Sequence, residues 1–230
     1  DCENGSCSCS DKSYVQQWLV SSSYSSTYLY GPTCGSQQGQ SFVMPKDSQL
    51  IYIKAKVKRV EQCNCGNIGD CVNPLTGQVT MSLWKASSSH KPTGTAIATV
   101  TKDLSTVSSS SSGGWLTFSF QSKNLNLDGD TEYVATLSST STKYKVYWES
   151  WSKSNKSGTT GPLSNSYAVR KVPFTSGPII PGGAPGKIPD SGITLSTWQT
   201  STEYDMAFQM AYTVSCPLII ILPPPIFPNK

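Results

Sequence analysis

Charge is scarce in this chain. Only 14% of its 230 residues are Asp, Glu, Lys or Arg, against roughly 25% in an average soluble domain. Histidine occurs once, at His90. A histidine-rich metal centre is therefore excluded, and a nucleophile–histidine triad would have to be built on that residue alone. Neither familiar Gly-rich phosphate loop appears. No apolar run approaches the roughly 20 residues of a membrane-spanning helix, so no membrane span is expected. No amphipathic helix of about 10 or more residues is legible either. The net charge of +4 is modest and, apart from Lys54, Lys56 and Lys58, the lysines are scattered; no nucleic-acid partner is expected. A glycosidase needs two facing carboxylates, and nothing pairs Glu132, Glu149, Glu203 or Asp205. The expectation is a protein that is not an enzyme and holds no cofactor.

Ser and Thr fill the space that charge leaves, with 18 glycines and 15 prolines. The length suits one large domain. Period-2 apolar patterns recur along it. In Leu50–Val60, Ile51, Ile53, Ala55 and Val57 take one face, while Tyr52, Lys54, Lys56 and Lys58 take the other. That is a half-buried strand with a lysine-studded outer face. Further sets are Val79, Met81 and Leu83; Leu116, Phe118 and Phe120; Tyr133, Ala135 and Leu137; Tyr144, Val146 and Trp148; and Met206, Phe208 and Met210. Turn signals lie between them: Asn73-Pro74, Pro92-Thr93-Gly94, Ser108–Gly114, Asp128-Gly129 and Gly182-Gly183. Many short strands broken by such turns predict an all-β, antiparallel β-sandwich. The expected organisation is a Cys- and Ser-rich leader over 1–39, a sandwich over 40–212 and an apolar, Pro-rich tail over 213–230.

The eight cysteines are Cys2, Cys7, Cys9, Cys34, Cys63, Cys65, Cys71 and Cys216. An even number in a Ser-rich, charge-poor chain points to disulfides and an extracellular or cell-surface location. Zinc is the competing reading, since Cys63, Cys65 and Cys71 would supply three ligands, but paired C-x-x-C knuckles are missing. The first residue is Asp1 and no signal-like segment follows it; the expectation is a mature secreted chain. Asn4-Gly-Ser6 and Asn155-Lys-Ser157 are glycosylation sequons in polar, turn-like sequence.

From Gln40 to Tyr212 the chain resembles the secreted jelly-roll-like sandwiches of "choice-of-anchor" surface proteins and carbohydrate-binding-like modules. The residues that carry the resemblance are Gln40-Ser41-Phe42 with Pro45, Ile51–Val57, Val79–Leu83, Lys91–Ile97, Gly114–Phe120, Leu125-Asn-Leu127 through Asp130–Tyr133, and Tyr204–Phe208. It implies a jelly-roll-like fold, here with extended N- and C-terminal tails, and an adhesive, sugar-binding or structural role. Such domains sometimes carry a structural ion. Asp128 and Asp130 are the calcium candidates, although the twelve-residue calcium loop is absent and an ordinary Asp-Gly turn is the alternative.

The tail carries the sharpest functional signal. Leu218, Ile219, Ile220, Ile221 and Leu222 are apolar on both strand faces and must be covered. Either the run packs on its own domain as a last strand, or it completes the sandwich of a neighbouring copy by donor-strand complementation. Such a head-to-tail contact propagates into a filament. In this organisation the chain is similar to subunits of extracellular donor-strand filaments. Those often donate an N-terminal strand, so Tyr14, Val15, Trp18, Leu19 and Val20 are the second donor candidate. The expected partners are copies of the chain itself, with glycans as the alternative. Trp84, Tyr147, Trp151 and Trp198 fall off the core phase or in loops; they would stack on sugar rings or cover a contact.

Overall fold

A computed structural model describes residues 12–17, 27–28, 37–44, 46–61, 75–141, 144–152, 166–173, 195–201 and 204–214. They form an all-β sandwich of two antiparallel sheets. There is no α-helix among the described residues, only two short 3-10 turns at Leu104–Thr106 and Gln121–Lys123.

The first sheet is organised by β4 (Ser48–Glu61), whose fourteen residues make it the longest strand. On one edge it meets β7 (Gly114–Ser119) and the short β8 (Asn126–Leu127). Along its other edge, β14 (Phe208–Val214) pairs with Ser48 to Ala55, and β10 (Tyr144–Ser152) takes over from Val57 to Glu61. β1 (Lys12–Gln17) adds to the far side of β14, setting Tyr14 opposite Tyr212 and Val15 opposite Ala211. β2 (Thr27–Tyr28) and β13 (Tyr204–Met206) pair with the end of β10. The second sheet runs β12 (Leu195–Ser201), β11 (Ala168–Pro173), β3 (Gln37–Val43), β9 (Glu132–Ser139), β5 (Gln78–Ala86) and β6 (Pro92–Asp103).

The alternating sets face one another as expected from a sandwich. Ile53, Ala55, Val57, Phe118, Trp148, Phe208 and Met210 of the first sheet meet Phe42, Val79, Met81, Leu83, Tyr133 and Ala135 of the second, all essentially without solvent contact. Phe208 stands between Phe42 and Trp148, at ring distances of 5.6 and 6.4 Å, and joins the two layers.

Two patterns depart from the sequence expectation. Ile51 does not share the face of Ile53; Leu50 is buried in its stead. The β4–β14 register shifts between Ala211 and Tyr212, so Tyr52 lies opposite Ala211 but Leu50 opposite Tyr212. A bulge thus takes up one residue and resets the alternation. Pro92-Thr93-Gly94 is also not a separate turn. It opens β6, where proline is tolerated as a first residue and on an edge. Gly94 has φ +68°, beside the irregularity between Leu83 and Lys85 on β5.

At one end of the sandwich the first sheet branches. Ala207, between β13 and β14, donates its N–H to Glu149 O and accepts from Lys56 N and the Trp148 indole. Backbone groups that such a branch leaves without a strand partner need another one. Two glutamines of β3 supply it from the opposite sheet. Gln38 Oε1 accepts the Trp148 N–H at 3.2 Å, and Gln40 Oε1 accepts that of Met206 at 2.8 Å. Gln40 Nε2 and the Ser166 hydroxyl both donate to the buried Asp205 carboxylate. The bond between the layers here is polar, not apolar.

Candidate functional site

β6 is twelve residues long and, among the described residues, pairs only with β5. Native edge strands are commonly protected by charge, by shortness or by a covering element. The stretch from Pro92 to Thr101 carries no charged residue. Its inward positions Ala96, Ala98 and Val100 are only half-buried, whereas Val79, Met81 and Leu83 of β5 are fully buried. Thr95, Thr99 and Thr101 are exposed on the outer side. Ile97, 39% exposed, stands among them; with Val60 and Trp115, both 38% exposed, it completes the set of large apolar side chains open to solvent among the described residues. Trp115 belongs to β7, the strand of the first sheet that approaches β6 across the sandwich. The molecule therefore presents uncharged, half-apolar strand edges on one side.

The strand pattern of this edge is weak in the sequence, because Pro92 and Gly94 look like a turn and the alternation that follows is built mainly from Ala and Thr. The outward phase of Ile97 was nonetheless readable from Ala96, Ala98 and Val100.

The outer face of β4 is as expected. Lys54 lies over the Tyr52 ring at 5.0 Å and Lys58 over Tyr147 at 5.9 Å. Lys56 turns to the buried Glu149 carboxylate, at 2.8 Å. The two stacked ammonium groups cover aromatic faces while remaining partly in water.

The four off-phase aromatics do not form one platform. Tyr147 is on the first sheet, whereas Trp84 and Trp198 are on the second, on β5 and β12 with three strands between them. The Trp84 indole donates to Thr136 Oγ1 at 2.9 Å, and Trp198 lies under Lys171 at 5.8 Å. Each has a local role. The side chain of Trp151 lies outside the described residues.

Beside Trp84 is a cluster that the sequence did not reveal. His90, in the turn from β5 to β6, has φ +62°, stacks on Tyr167 at 3.7 Å and places Nδ1 2.8 Å from Glu132 Oε2. Tyr167 exchanges hydrogen bonds with Ser41, so His90 straps three strands of the second sheet. Val134 and Thr136, on the outward phase of β9, are buried as well, and Thr136 is the residue that accepts the Trp84 indole N–H.

Asp128 and Asp130 flank Gly129 in the turn before β9. Asp128 pairs with Lys85 at 3.3 Å, and the Gly129 N–H donates to Asp47. Among the described residues no three acidic, histidine or cysteine side chains gather as a metal site. All eight cysteines, both sequons, Trp18, Leu19, Val20 and the run Leu218–Leu222 lie outside the described residues. No described helix is long and apolar enough to cross a membrane. Compared with known proteins, the chain matches no family model and no curated sequence.

Proposed function

We propose that this chain is a structural subunit of an extracellular filament or surface assembly, in which copies join head to tail by strand addition. The observation that carries the reading is the β6 edge: a twelve-residue strand that among the described residues pairs with β5 alone, over Pro92–Thr93 and Ala98–Asp103, uncharged from Pro92 to Thr101, with inward positions left half-open. An edge of this kind is a template for another strand. Leu218–Leu222 supplies a strand of matching chemistry. Five such side chains, buried at about 1.5–3 kcal/mol each, give a gross contribution of order 10 kcal/mol before ordering costs. Pro223–Pro225 would end the added strand and stiffen its exit. A donor and an acceptor on different surfaces make a contact that does not close on itself, hence a fibre.

Electron microscopy of the purified, unreduced chain tests this. Regular filaments are expected from the natural sequence, none after deletion of Leu218–Leu222, and short or sparse ones from Ile97→Lys, which places a guarding charge on the edge. Filaments that persist after the deletion, or dispersed single copies of the natural chain, would overturn it.

A further inference from the structure

Where β6 leads into β7, the chain encloses an open cavity of about 350 Å³, at the small end of the roughly 300–1,000 Å³ range that holds organic ligands. Its lining combines three kinds of group: the Arg59 guanidinium, the half-exposed Trp115 indole, and the hydroxyls of Ser105, Thr106 and Ser108.

Arg59 is held in place before any ligand arrives. Its Nη1 donates to the carbonyls of Leu104, Ser105 and Val107, and its backbone N–H donates to Ser108 O. Guanidinium carries five N–H donors. Among the described residues, those on Nε and Nη2 meet no acceptor, and no carboxylate pairs with this side chain. A fixed, always-charged fork with donors to spare is suited to a carboxylate, which it can engage through two parallel bonds. Trp115 adds a flat apolar face; the Thr106 hydroxyl, which donates to Asp103 O, keeps lone pairs to accept with, and the Ser108 hydroxyl, which accepts the Ser110 N–H, keeps its proton to donate. Gly114 lets the Ser108 side chain approach closely, since a Cβ there would stand 3.0 Å from it.

We infer that this cavity binds an acidic sugar unit, a hexuronate: its C–H face would lie on Trp115, its carboxylate on Arg59 and its hydroxyls among the serines and threonine. A neutral sugar would leave the guanidinium unanswered, and a simple anion would leave the indole bare. The inference is independent of how copies of the chain assemble.

The test is saturation-transfer NMR on the full chain, which serves equally for single copies and filaments, with trigalacturonate and its neutral methyl ester as probes. Transfer to the ring protons of the acid is expected. The ester should bind about tenfold or more weakly, and Trp115→Ala should weaken the acid by a similar factor. Arg59→Gln should remove the difference between acid and ester. Because Arg59 also braces the 104–107 turn, the Trp115→Ala comparison, at an exposed position, stands if that variant fails to fold. No transfer to either probe, equal binding of acid and ester by the natural chain, or acid binding unchanged in Trp115→Ala would overturn the assignment; each would leave Arg59 as a brace for the turn only.

Discussion

Tyr133 is a core side chain with one polar atom. Its ring packs against Phe42 at 6.1 Å, and its hydroxyl accepts the Asp128 N–H at 2.9 Å, which ties the Asp128-Gly129 turn to the interior. Burial raises the phenol above its ordinary pKa of 10.0, and the bond from Asp128 N–H offsets part of that rise. The neutral phenol is thus the form the fold favours. That contribution is complete below pH 10, where the unfolded chain is also neutral, and is lost as pH rises through the folded value. Tyr133→Phe should cost about 1 kcal/mol at neutral pH, the usual worth of such a bond. It also removes the proton, so above pH 10 the variant escapes this part of the alkaline loss, and the gap between the two chains should narrow. Urea unfolding at neutral pH and above pH 10 checks it; a gap that does not change with pH would mean that Tyr133 does not titrate in step with folding.

The Lys56–Glu149 pair is also set by environment. Glu149 is 4% exposed and Lys56 30%, so the pair sits where β10 leaves β4, half sealed by the sheet. Its value to the fold is that it answers a carboxylate which the branch has buried; removing one partner of such a pair costs far more than removing both.

At the scale of elements, alternation was enough to locate β4, β5, β7, β9, β10 and the β13–β14 segment, because a face packed on one core demands an apolar residue at every second position. It failed where the chain uses another device. Leu50 and Ile51 exchange roles because the bulge inserts a residue, and a bulge has no composition of its own. β6 was obscured by Pro92 and Gly94, read as a turn although proline is at home at the start of an edge strand. β3 was missed as a strand because its inward phase reads Gln38, Gln40, Phe42: two polar residues at core positions look like a solvated segment. Their amides are instead the partners of the branched sheet. Of the candidate sites, the lysine face of β4 was legible. The His90–Glu132–Tyr167 strap was not, since it joins residues from a turn, β9 and the start of β11 that no local pattern connects. The Gln40 amide is the element that most needs testing. Gln40→Leu keeps the bulk but leaves the Met206 N–H without its acceptor and removes one donor to Asp205. A buried N–H left unanswered costs about 1–3 kcal/mol, so the variant should unfold at clearly lower urea while Gln37→Leu, at the start of the same strand and only half-buried, changes little. Equal midpoints for both would show that the seam contributes nothing to stability.

For the whole molecule, the question is what ties the ends of the chain to the sandwich. β1 already joins one edge of the first sheet by pairing with β14. The cysteines are placed where they could add to this: four lie in the first 34 residues, three from Cys63 to Cys71, and one at Cys216. Cys7 and Cys9 are poorly placed to bridge each other, so a disulfide from either would have to reach another cysteine. A disulfide that closed a loop of about 100 residues would contribute about 5 kcal/mol in the chain-entropy model. Thiols held by a metal would be a different chemistry with a different signature. Alkylation of the unreduced protein under denaturing conditions, followed by intact mass, separates the two. Disulfides predict that no cysteine is labelled before reduction, that all eight are labelled after it, and that a chelator makes no difference. Reduction should then lower the unfolding midpoint of the sandwich, because the unfolded chain regains the freedom that the bridges withhold. Labelling without reductant once denatured with a chelator would instead assign the cysteines to a metal, and reduction would then leave the unfolding midpoint where it was.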